Sequence, residues 1–130
     1  MRFRLLILVT LAAIFIAGCG GETYDDVLQG LRGAALSGKT YNAIRHADDL
    51  DASQKAVVNA FCNIATQLAD NEEAITTEQY FDQIQADATR EAGFLEAKAV
   101  ETAVTRLRAI YDLSSINGHT ATLYVNACYR

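Results

Sequence analysis

The chain is predicted to be all-α, a small four-to-five-helix bundle that follows a cleaved signal peptide. Three observations predict it. Apolar residues recur at helical spacing from Tyr24 onward, and no stretch sustains strand alternation with β-branched enrichment. Proline is absent throughout, which leaves glycine as the main chain breaker. Two capping signatures, Thr23 with Asp26 and Thr76 with Gln79, stand where helices should begin.

The first element is the N-terminal signal. Arg2 and Arg4 form a positive n-region, and Leu5 to Ile16 form a twelve-residue apolar region broken only by Thr10. Leu5 to Gly18 supplies fourteen residues, too few for a spanning helix, which needs roughly 20. Small residues then lead into Cys19, where a cleavage site belongs. The run Ile16-Ala17-Gly18-Cys19 resembles the lipobox of bacterial lipoproteins, with Ile16 in place of the commonest Leu. The resemblance implies cleavage before Cys19, a diacylglycerol on its sulfur, and Cys19 as the mature N-terminus. Two acyl chains hold a protein stably at a membrane where one does not. Gly20 is not the Asp that retains lipoproteins at an inner membrane, so an outer membrane is expected if the envelope has two. The expected organisation is therefore a signal peptide over 1–18, a lipidated Cys19 with a short tether over 19–23, and a helical domain over 24–130. The product would be exported and lipid-anchored at the cell membrane.

Within the domain, helix one is expected from Tyr24 to Leu36, with Val27, Leu28, Leu31 and Ala35 inward. Gly30, Gly33, Ala34 and Ser37 make a second face of small residues. Interior glycine costs about 1 kcal/mol against alanine, so close packing is the expected compensation, with helix four the expected neighbour and a partner protein's helix the alternative. A short helical piece is expected over Thr40 to Ala47. Helix two should run from Ala52 to Ala69 behind an acidic start, burying Val57, Val58, Phe61, Cys62, Ala65 and Leu68. Helix three has Thr76 as N-cap, Ile75 and Tyr80 placed as a hydrophobic staple, and Gly93 as C-cap. Helix four is expected from Leu95 to Leu113, burying Val100, Ala103, Val104, Leu107, Ile110 and Tyr111. Asn117-Gly118 breaks it, and Thr120 is placed to cap a final helix with Leu123, Tyr124, Ala127 and Cys128.

Beyond the first eighteen residues the chain carries nine Lys and Arg against sixteen Asp and Glu, a net of −7. That sign argues against nucleic acid and against electrostatic docking on anionic headgroups. With Cys19 lipidated, Cys62 and Cys128 remain as an even pair in a disulfide-permissive compartment. A bridge between them would close a long loop, for about 4 kcal/mol in the chain-entropy model. Two buried free thiols are the alternative; a two-cysteine metal site lacks any CxxC or neighbouring His.

Three motifs raise chemical readings and fail on context. Gly33 to Thr40 matches GxxxxGK[ST], in which Lys39 would reach phosphates and Thr40 would hold Mg²⁺. A true phosphate loop needs a buried strand before it, whereas the preceding residues have a helical pattern. A helix end at Gly38 with a capped restart is expected, and no nucleotide. His46 with Asp48, Asp49 and Asp51 suggests a cation site, but a calcium loop from Asp49 would place Gln54 and Ala60 where Gly and Glu are required. Ser114-Ser115 near His119 matches no nucleophile elbow and reads as a helix end and turn. The tyrosines lie mostly on apolar faces, as core residues do.

Cys128-Tyr129 and the start from Asp25 to Leu31 resemble small exported two-cysteine helical domains of unknown function. The cysteine spacing is longer here, the closing residue is not proline, and no activity comes with the resemblance. No catalytic residue, metal or cofactor is therefore expected. The expected role is a membrane-anchored binding or structural module of the cell envelope, held through Cys19 and working on an envelope protein partner. A small-ligand or metal-binding envelope protein is the alternative, and an enzyme the last of the three.

Overall fold

A computed structural model describes residues 23–110, 115–116 and 118–129. Among the described residues the fold is all-α, with six α-helices, one of them a single turn. They are α1 (Tyr24–Ser37), α2 (Ala43–His46), α3 (Ala52–Asn71), α4 (Thr77–Ala92), α5 (Ala97–Ile110) and α6 (Gly118–Tyr129). Short 3₁₀ segments occupy Ala47–Asp49 and Phe94–Glu96. The count exceeds the expected four to five because the segment after α1 closes a genuine, if single, helical turn.

The helix starts follow the sequence signals. Thr23 and Asp26 form a reciprocal capping box on α1, and Thr76 and Gln79 form another on α4. Asp51 caps α3 by accepting from the Gln54 N–H at 2.9 Å. Each cap satisfies backbone donors that the first helical turn leaves without partners. Ile75 is half-buried against the core and Tyr80 fully buried, as a staple requires. Gly38 ends α1 in the left-handed conformation at φ 67°, where a side chain is disfavoured.

The long helix α3 is the centre of the bundle. It packs on α4, α6 and α5, while α1 lies chiefly against α6. Short turns make α3 and α4, then α4 and α5, consecutive neighbours. The inward faces are those expected: Val27, Leu28 and Leu31 on α1; Val57, Phe61 and Ala65 on α3; Tyr80, Phe81 and Ile84 on α4; Val100 and Leu107 on α5. Burying one such side chain contributes about 1.5–3 kcal/mol, so the core is what holds helices this short.

A two-residue antiparallel bridge, Ile75–Thr76 with Ser115–Ile116, ties the α3–α4 turn to the stretch before α6. Three expectations need correction. Helix α5 begins at Ala97 rather than Leu95, because no polar cap stands before it and the chain takes a 3₁₀ turn instead. Helix α6 begins at Gly118, so Thr120 lies inside it rather than capping it. The restart after Gly38 has no side-chain cap: Asn42 precedes α2 at φ 61° and makes no capping hydrogen bond. The end of helix four, with Tyr111, falls outside the described residues.

Candidate functional site

Cys19 and the whole of segment 1–18 lie outside the described residues. The other predicted pair is joined: Cys62 on α3 and Cys128 on α6 form a disulfide with Cα atoms 5.8 Å apart. Both are fully buried, and their bonded sulfurs stand in place of the two free thiols of the alternative. Around the bridge, Phe61, Tyr80 and Tyr124 pack with ring centroids 5.2–6.3 Å apart. The Tyr80 hydroxyl donates to the Phe61 carbonyl at 2.7 Å. Burial pushes the Tyr124 hydroxyl up to about 12. This half of the molecule is a structural staple with an aromatic collar.

The residues of the phosphate-loop pattern have another use. Gly33 to Ser37 belong to α1, so their N–H groups point along a helix and cannot encircle a phosphate. The small-residue face divides. An added Cβ on Gly30 would fall inside the Tyr41 ring, whereas Gly33 has nothing within 4 Å. Tyr41, from the connection after α1, therefore covers Gly30, in place of the expected helix four. Tyr41 in turn stacks on His46 at 5.2 Å, which places that histidine in a packing role.

The acidic run disperses in the same way. Asp48 pairs with Lys55 at 2.9 Å, and this hydrogen bond raises the lysine pKa. Asp51 caps α3 and Asp49 is exposed. Among the described residues no three His, Cys, Asp or Glu side chains converge as a metal site would. The Ser114-Ser115 and His119 side chains fall outside the described residues.

What the structure does bring together lies where α1 begins. The Tyr24 hydroxyl donates to the Ala103 carbonyl of α5 at 2.7 Å. Arg106 pairs with Asp25, with its guanidinium over the Tyr24 ring at 5.2 Å from the centroid. Burial raises the Tyr24 pKa, and the neighbouring Arg106 opposes that rise. Beside this knot lies a cleft of about 220 Å³ lined by Asp51, Ser53, Gln54, Ala99, Thr102, Ala103 and Arg106. Drug-sized ligand pockets run to about 300–1,000 Å³, so this cleft is small. A broader open depression of about 480 Å³ is lined by Asp82, Gln85, Ala86, Thr89 and Ala97, with a single titratable group.

Next to the cleft sits a feature missed by periodicity. Phe94 and Leu95, in the 3₁₀ turn between α4 and α5, are 92% and 100% exposed. Two adjacent apolar residues straight after Gly93, where a polar N-cap is expected, were the available signal. The expected helix hid it by absorbing Leu95. Among the described residues, no helix is long and apolar enough to cross a membrane. No protein-family model matches the chain, and comparison with curated proteins and with solved structures finds no match either.

Proposed function

We propose that the protein is an exported, lipid-anchored envelope lipoprotein whose helical domain acts as a binding or structural module for an envelope protein. The observation that carries this reading is the start of α1. A lipobox-like Cys19 is followed after only Gly20 to Thr23 by a capped helix that Tyr24 and Arg106 fix to α5. Four extended residues reach on the order of 14 Å, so the domain rides close to the bilayer. Confinement to a membrane raises effective concentration toward co-localised partners, and modest affinity then suffices.

The use of the charged side chains supports binding over catalysis. The Asp26 carboxylate accepts from the Thr23 N–H in the α1 capping box and Asp51 caps α3, while Asp25 and Asp48 neutralise Arg106 and Lys55. A catalytic site instead gathers such groups in a cleft. Cys19→Ala in the full chain should give an unprocessed precursor or a protein that washes off membranes, with a specific crosslinked partner lost. Intact mass of the wild-type product showing an unmodified N-terminal Cys19 overturns the anchor. Turnover of a small substrate by the purified protein, with no crosslinked partner, overturns the binding role.

A further inference from the structure

We infer that the Phe94–Leu95 turn is a second membrane contact, an apolar tip seated in the surface of the same bilayer that the lipid on Cys19 holds. The inference rests on the lipoprotein reading and adds an orientation to it.

The turn is rigid and aimed outward. The Gly93 N–H donates to the Thr89 carbonyl at 2.8 Å, and the Glu96 N–H donates to the Gly93 carbonyl at 3.0 Å. At its base the Ser53 hydroxyl donates to a Glu96 carboxylate oxygen at 3.2 Å, and Ser53 is itself buried at the start of α3. With its base tied to the core, the turn holds Phe94 and Leu95 in solvent at 92% and 100% exposure. Leu36, the other large exposed apolar side chain among the described residues, stands by itself near the far end of α1.

The position of the turn supplies the occupant. Ser53, which anchors it, lines the same cleft as Asp51, Ala103 and Arg106. Ala103 and Arg106 are the residues that hold Tyr24 and Asp25, the first residues after the tether. From Phe94 to Ala103 the helical rise is about 15 Å, and the tether reaches on the order of 14 Å. The lipid and the apolar tip can therefore meet one bilayer surface. The net charge of −7 beyond the signal gives no net electrostatic attraction to anionic headgroups, which favours an apolar contact with the bilayer. Insertion of one side chain of this size changes partitioning by about tenfold or more.

The chain contains no tryptophan, which makes the test direct. Phe94→Trp, Leu95→Trp and Leu36→Trp each introduce one reporter at an exposed site. The full chain, purified from bacterial membranes, is reconstituted into neutral phosphatidylcholine vesicles with and without brominated acyl chains. The expected result is a blue shift and bromine quenching at positions 94 and 95, and neither at 36. A diacylglyceryl mass on Cys19 with an unquenched reporter at 94 overturns the second contact and leaves the anchor standing. A mass without lipid overturns the anchor reading and the second contact with it. A blue shift at 94 that grows with protein density, without bromine quenching, makes the tip a contact between copies and overturns the bilayer assignment.

Discussion

Gly30 and Gly33 stand almost one turn apart on α1, and their surroundings set opposite expectations for the same substitution. A methyl on Gly30 would enter the Tyr41 ring, and stacking on His46 resists movement of that ring. Overfilling a packed site costs about 1–3 kcal/mol. A methyl on Gly33 meets nothing within 4 Å and removes the flexibility cost of a helical glycine, a gain of about 0.5–1 kcal/mol. Thermal melts should therefore move in opposite directions, down for Gly30→Ala and up for Gly33→Ala. A melt that does not fall for Gly30→Ala would show that Tyr41 does not hold its place. The small-residue pattern was visible in the sequence, but its neighbour was not. Helical spacing says which residues share a face; it does not say that a loop tyrosine, rather than a helix, covers that face.

At the scale of elements, legibility follows the local chemistry. Thr23, Asp51 and Thr76 set the starts of α1, α3 and α4 because each side-chain oxygen accepts from an N–H three residues on. Where no such oxygen stands at the expected cap position the boundary slips, as it does from Leu95, which Phe94 precedes, to Ala97. The turn carrying Phe94 and Leu95 is hidden for the same reason: its geometry comes from Gly93 and from the distant Ser53–Glu96 hydrogen bond. The Cys62–Cys128 bridge was legible as an even pair, and it now has a mechanical meaning. It fastens the last helix to the middle of α3 across 66 residues of sequence. Replacing both cysteines by alanine should lower stability by about 2–4 kcal/mol, seen as a reduced urea midpoint. Hydrogen exchange in that variant should report α6 opening ahead of α3 and α4. Uniform loss of protection across all helices would show that the bridge supports the whole bundle rather than its last element.

The response of the whole molecule to pH follows from two buried hydroxyls on different elements. Tyr124 sits in the aromatic collar with its pKa pushed up to about 12, and Tyr24, under α5, is also raised by burial. In an unfolded chain tyrosine ionises near pH 10. The folded state thus keeps its phenol protons where the unfolded state releases them. A pKa raised on folding contributes stability that is complete below the unfolded value and is lost as pH climbs through the folded one. The window runs from about pH 10 to about pH 12 for Tyr124. Ionisation there also adds negative charge to a domain already at −7, and that self-repulsion acts in the same direction. Urea midpoints should hold steady from neutral pH to about 10 and then fall. Tyr124→Phe should flatten the fall. Tyr24→Phe should flatten it too, at the cost of about 1 kcal/mol at neutral pH for the lost hydrogen bond to Ala103. An alkaline fall of the same steepness in both variants would assign the loss to surface charge and not to these hydroxyls. The Tyr24 result bears on the proposed anchoring as well, because its hydroxyl fixes the start of α1 against α5.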